Sequence, residues 1–238
     1  MAPSEHIVSS FDRDLEGIQA NIMRMGGLVE DAIAKAAQAF EARDPELAHA
    51  VRQGDAAIDA LDVQINEEAA RIIAQRQPIA SDLRTVLSVF RISSNLERIG
   101  DYAKNIAKRA EAIMDHPPVN GTGASLRRMA RQVELMLKDV LDAYIQRDAD
   151  KALDVRDRDI EVDQMYSALF REYLTFMMED PRNITTCMHL HFMAKNIERM
   201  GDHATSIAEQ VIYMVTGDMP GEDRPKQDNV SAAGGVPR

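Results

Sequence analysis

The sequence predicts an all-α protein built as two tandem antiparallel three-helix bundles, and three observations carry that expectation. Apolar residues recur at helical rather than strand spacing along most of the chain. Helix breakers fall where six long helices would need turns. The stretch Asn95-Leu-Glu-Arg-Ile-Gly-Asp101 also returns as Asn196-Ile-Glu-Arg-Met-Gly-Asp202, at a constant offset of 101 residues. Self-similarity of that kind marks one supersecondary unit used twice.

Residues 11–43 place Leu15, Ile18, Ile22, Met25, Val29, Ile33, Ala37 and Phe40 on one face of a long amphipathic helix. Asp44-Pro45 then reads as an N-cap followed by proline at the first helical position, where its missing N–H costs nothing. The second helix runs to about residue 77, and Pro78 breaks it. Ser81 and Asp82 offer caps for a third helix, which carries the first motif copy to about residue 114. Breakers then collect in His116-Pro-Pro-Val-Asn-Gly-Thr-Gly123. The second half repeats the plan: a helix over about 125–147, a cap at Asp148, and Asp180-Pro181 closing the fifth helix and opening the sixth, which reaches about residue 216. The expected organisation is a first bundle over 9–116, a linker over 117–123, a second bundle over 124–216 and a disordered tail over 217–238, rich in Pro, Gly and charge.

Composition narrows the function. A net charge of −11 argues against a nucleic-acid binder working by general electrostatics, which needs basic residues to neutralise phosphates. Cys187 is the only cysteine, so no internal disulfide forms and a buried inert thiol is expected. No apolar run approaches the roughly 20 residues of a membrane span, and residues 1–14 lack the apolar core of a secretory signal. A cytoplasmic protein is expected.

Glu97 and Asp101 share one face of the third helix, and Glu198 and Asp202 share one face of the sixth. With 39 acids in the chain, chance alone supplies several such pairs, so spacing proves little. Hairpin geometry says more. Asp55 and Asp59 on the second helix mirror Asp101 and Glu97 about Pro78, while Asp159 and Asp163 mirror Asp202 and Glu198 about the Asp180-Pro181 turn. Residues symmetric about a helical hairpin lie level, so each helix pair gathers four carboxylates at one height. Their repulsion would be relieved by a hard cation such as Mg, Ca, Mn or ferric iron. The acids lie opposite the apolar stripes Leu96, Ile99, Ala103, Ile106 and Ile197, Met200, Ala204, Ile207, which predicts surface clusters. Gly100 and Gly201 sit inside helices, where glycine costs about 1 kcal/mol against alanine. Close approach of a neighbouring helix is the expected reason, and room for a ligand the alternative.

The doubled Asn-(Leu/Ile)-Glu-Arg-(Ile/Met)-Gly-Asp motif, the Arg76-Gln77-Pro78 turn with Asp82-Leu83-Arg84, and the tandem three-helix plan resemble the PhoU family of phosphate-signalling regulators. The resemblance covers nearly all of residues 11–217. It implies spectrin-like bundles whose acid motifs bind iron or zinc clusters on the surface, with Asp55, Asp59, Glu97 and Asp101 as one ligand set and Asp159, Asp163, Glu198 and Asp202 as the other. It further implies a negative regulator of the phosphate-starvation response and of phosphate uptake. The implied partners are the ATPase of the phosphate ABC transporter and its sensor histidine kinase, met at the inner membrane face, and the implied assembly is a homodimer. Tyr102 departs from the histidine that many members carry there and that His203 retains in the second copy.

Other residues invite weaker readings. His189 and His191 form an HxH near the start of the last helix, with His191 on the face of Glu198, and exposed helix histidines are the simpler account. Arg84, Arg91 and Arg98 recur every seven residues along the third helix, a basic stripe for which a solvated face is the simpler account and a docking strip for the transporter ATPase or the kinase the alternative. Glu46 and His49 form a single Glu-x-x-His, whereas ferritin-like di-iron proteins use two. No nucleophile or glycine-rich phosphate loop is evident, so a non-enzymatic regulator is expected. A di-metal carboxylate enzyme or metal-handling protein is the alternative.

Overall fold

The computed structural model describes residues 3–119 and 121–221, with side chains from residue 11 onward. Six helices follow in order: α1 (Pro3–Ala42), α2 (Pro45–Arg76), α3 (Ala80–Ala112), α4 (Thr122–Gln146), α5 (Ala149–Glu179) and α6 (Ile184–Thr216), with one 3-10 turn at Pro181–Asn183 before the last. The chain is all-α, and α1 alone spans about 60 Å at the helical rise of 1.5 Å per residue.

Caps and breakers set most of the boundaries. Asp44 accepts a hydrogen bond from the Leu47 N–H at 3.0 Å, and Asp148 does the same for Lys151 at 2.9 Å, satisfying N–H groups that the first helical turn leaves open. Asp180 caps the 3-10 turn through the Arg182 N–H at 3.0 Å. At α3 the expectation fails: the helix starts at Ala80, the flanking Ile79 supplies no side-chain cap, and Ser81 and Asp82 lie inside the first turn. α4 begins at Thr122, inside the expected linker, because Gly121 takes a φ of 85° that a side chain would disfavour.

α1, α2 and α3 form the first bundle and α4, α5 and α6 the second, but their interiors are not separate. α3 packs along α6 and α1 along α4, joining both interiors into one buried cluster of Ile, Leu, Val, Ala and Met. Gly26 lets α1 approach α4 closely, since a Cβ there would strike Leu141. The tail begins later than expected. Gly217 closes α6 with a φ of 91°, and residues up to Gly221 fold back so that Arg156 donates to the Gly221 carbonyl at 2.6 Å. The rest of the expected tail, 222–238, lies outside the described residues.

Candidate functional site

The two acid groups form as the hairpin symmetry requires. In the groove between α2 and α3 the Lys104 ammonium donates to Asp101 at 2.8 Å and also to Asp55, so Asp55 and Asp101 face one another at one height. Asp59 and Glu97 complete that level: each carboxyl is pushed above its ordinary range, first by burial. Repulsion adds to this, led by Asp55 at Asp59 and by Asp101 at Glu97. In the groove between α5 and α6, burial raises the Glu198 carboxyl, and Asp202 and Asp163 add to the rise. Asp159 lies against Gly201, with its Oδ1 3.1 Å from where a Cβ would stand.

The surface placement predicted from helical phase holds only in part. Asp59 is exposed, but Asp55 and Asp159 are 5% and 8% exposed, and Glu198 is nearly covered. Helical phase relates these acids only to the apolar stripes of α3 and α6 themselves. Each also meets a flanking helix, and the acids line the grooves between them. Gly100 and Gly201 explain how the helices come close enough: a Cβ on Gly100 would lie 3.0 Å from Ile58 Cδ1, and one on Gly201 3.4 Å from Val162 Cγ1. Close helix approach is therefore the observed reason for both glycines.

Sequence reasoning missed the charges that hold these grooves together. Lys104 is one turn beyond Asp101 and Lys195 one turn before Glu198, which it meets at 2.6 Å. Both were legible as i,i+3 neighbours of the motif acids. The hydrogen bonds to Asp101 and Asp55 hold the Lys104 ammonium well above its usual range. Burial pulls Lys195 down, but the hydrogen bond to Glu198, together with the charges of Glu198, Tyr166 and Asp202, leaves it raised. Asp62 was missed too. It accepts a hydrogen bond from Ser93 and adds a fifth carboxylate to the first groove.

The donor chemistry of both grooves suits a hard cation: all eight motif groups are oxygen ligands, and Asp55 Oδ1 and Glu198 Oε2 are buried without a hydrogen-bond partner. Their present arrangement serves ammonium groups. Among the described residues no three carboxylate, imidazole or thiol side chains converge tightly enough to hold a metal ion, so a cation would have to draw the acids together and move Lys104.

The remaining candidates separate. Arg84 is half-buried against α6, 5.9 Å from the Tyr213 ring centre, whereas Arg91 and Arg98 are exposed. His191 is half-buried among Tyr166, Phe170 and Phe192, and burial lowers its basicity and that of His189. His49 pairs with Gln53 on the surface. Cys187 is fully buried, as expected of an inert thiol.

The PhoU domain matches residues 22–110 and 126–211, one copy for each bundle. The chain belongs to the PhoU family. It is 47% identical over 231 residues to a phosphate-specific transport system accessory protein PhoU homolog of Rhizobium meliloti (strain 1021), covering 97% of this chain and 98% of that one. A homolog of the same name from Caulobacter vibrioides is 47% identical over 228 residues, covering 96% of this chain and 99% of the other. The crystal structure of PhoU from Pseudomonas aeruginosa superposes with a TM-score of 0.84 at 40% identity, over 87% of this chain and 100% of that one. The phosphate transport system regulatory protein PhoU of Streptococcus pneumoniae gives 0.82 at 30% identity, over 89% and 99%. Among the described residues no helix is long and apolar enough to cross a membrane.

Proposed function

We propose that this chain is an accessory regulator of phosphate transport that keeps phosphate-starvation genes off and restrains uptake when phosphate is plentiful. It does so through protein contacts with the ATPase of the phosphate ABC transporter and with a sensor histidine kinase. The observation that carries this reading is 47% identity along nearly the whole of both chains to a relative named as an accessory protein of phosphate-specific transport. The family is one of regulators rather than catalysts, and the helices supply what such a role needs: long rigid faces, with Arg91 exposed for docking. Cytoplasmic placement with recruitment to the inner membrane face, and a homodimeric assembly, belong to the same proposal. A di-metal enzyme is less well supported, because its ligands would project into a bundle core, whereas these acids line grooves.

Asp55, Asp59, Glu97 and Asp101 would hold cations in the first groove and Asp159, Asp163, Glu198 and Asp202 in the second, iron or zinc being the ions the family implies. What a bound cation supplies is charge neutralisation between helices that otherwise rely on one lysine each. The deciding experiment is alkaline phosphatase activity in phosphate-rich medium after deletion of the gene. High activity that the wild-type gene returns to low supports the regulator. Repression unchanged by deletion would overturn it. Complementation by the Glu97→Gln, Asp101→Asn, Glu198→Gln, Asp202→Asn variant then reports whether the grooves matter to repression.

A further inference from the structure

The repeated motif contains more than its acids. Asn and Arg recur in both copies, as Asn95 with Arg98 and Asn196 with Arg199; the apolar core uses neither arginine, and the carboxylate grooves engage them only through a long contact of Arg98 with Glu97. Antiparallel packing of α3 on α6 brings the copies face to face. Asn95 Oδ1 meets His203 Nδ1 at 2.7 Å, the Tyr102 and His203 rings lie 5.6 Å apart, and the Arg199 guanidinium sits 5.9 Å from the Tyr102 ring centre. Paired contacts run along this seam from Arg84 with Tyr213 to Arg109 with Phe192. Arg98 and Arg199 therefore fall near its midpoint, on either side of the pseudo-two-fold axis that relates the two halves.

Both arginines are exposed, and their forks are little used. Arg98 makes a long ion pair with Glu97, its Nε 3.6 Å from the carboxylate. Arg199 rests over Tyr102 and makes no ion pair among the described residues. Two exposed, loosely held guanidinium groups on one seam are conspicuous in a chain of net charge −11.

We propose that Arg98 and Arg199, with the Asn95–His203 pair and Tyr102 between them, form a binding site for a phosphate-type dianion, free or carried on a phosphorylated side chain. Planar guanidinium forks match the oxygens of a tetrahedral oxyanion bidentately, and two of them set on a rigid helix pair lose little freedom on binding. The ligand is compact. Glu97, Asp101, Glu198 and Asp202 flank the arginines and repel a broad acidic surface. The site does not depend on the regulatory reading, since its chemistry is the same in any protein.

The test is isothermal titration of the full-length chain with inorganic phosphate and, separately, with phenyl phosphate as a mimic of a phosphorylated side chain. Expected is saturable binding of at least one probe, about one per chain, weakened at least tenfold in Arg98→Gln and in Arg199→Gln and lost in the double variant. Arg91→Gln, which removes the same charge one heptad away, should bind like wild type. Binding of phosphate alone assigns the free ion, and binding of phenyl phosphate alone assigns the modified side chain. No saturable binding of either probe, or an equal loss in Arg91→Gln, would overturn the site. Should a glutamine variant unfold, Arg98→Lys and Arg199→Lys keep the charge without the fork, and undiminished binding there would overturn it as well.

Discussion

The two acid grooves descend from one motif yet balance their charge differently. In the first, Lys104 lies beyond the motif and bridges α2 to α3. The matching residue in the second half is Thr205, whose hydroxyl merely bonds back to the Gly201 carbonyl at 3.0 Å. In the second groove Lys195 lies before the motif, 5.1 Å from the Tyr166 ring centre, at the level where the first groove has Asp62 and Ser93. One groove thus sets five carboxylates against one ammonium, and the other sets four against one. Each groove requires an internal cation, but which residue provides it is free to vary.

Removing those lysines should expose the difference most. Lys104→Met leaves Asp55 buried without its partner. Breaking a buried pair costs about 3–5 kcal/mol, and because Lys104 is 36% exposed solvent screening reduces this to about 2 kcal/mol. Lys195→Met should cost about half as much, because Asp163 and Asp202 stay half-exposed beside Glu198. Urea denaturation of the metal-free proteins checks both. Equal losses would mean that the grooves are electrostatically alike. If the grooves hold cations, Lys104→Met should also bind Zn²⁺ more tightly than wild type, since the competing ammonium is gone.

Alanine at the two glycines gives a smaller contrast. Gly201→Ala meets the short, buried Asp159 carboxylate and should destabilise by about 1 kcal/mol through crowding. Gly100→Ala meets the end of the flexible Ile58 side chain, and the helix propensity gained, about 1 kcal/mol, should bring its net effect close to zero. Melting temperatures compare the two directly, and a reversed order would remove the explanation.

The smallest effect concerns pH. The Glu97 carboxyl is raised in the folded protein, so the native state holds this proton more tightly than the unfolded chain does. The stability it contributes is present below the unfolded pKa and is lost as pH rises through the folded one. Glu97→Gln should therefore stabilise the protein by a few tenths of a kcal/mol at pH 7, and the advantage should shrink as pH falls toward 4.5. Glu198→Gln should show no such gain, because it also removes the negative charge that pairs with half-buried Lys195. Denaturation curves at pH 7 and pH 5 separate the cases.

These contrasts trace to what the sequence could and could not reveal. Caps at Asp44 and Asp148, and the turn at Asp180-Pro181, were legible because each is set by residues local in sequence. The acid levels were legible because a hairpin's symmetry fixes height. Burial of Asp55 and Asp159 was not, since the phase of one helix says nothing about the helix lying across its polar edge. Arg84 was misplaced in a continuous basic stripe for the same reason: its face is taken up by Tyr213, more than a hundred residues away. The α3–α6 seam lay beyond any pattern within either half.

That seam also bears on how the protein could diversify. A symmetric pair of separate subunits must alter both sites whenever it alters one. Joined in a single polypeptide, the two halves are released from that obligation. Tyr102 opposite His203, and Asp62 where the other half has Tyr166, show that release already in use. One half can be tuned to a new task while its twin keeps the old one.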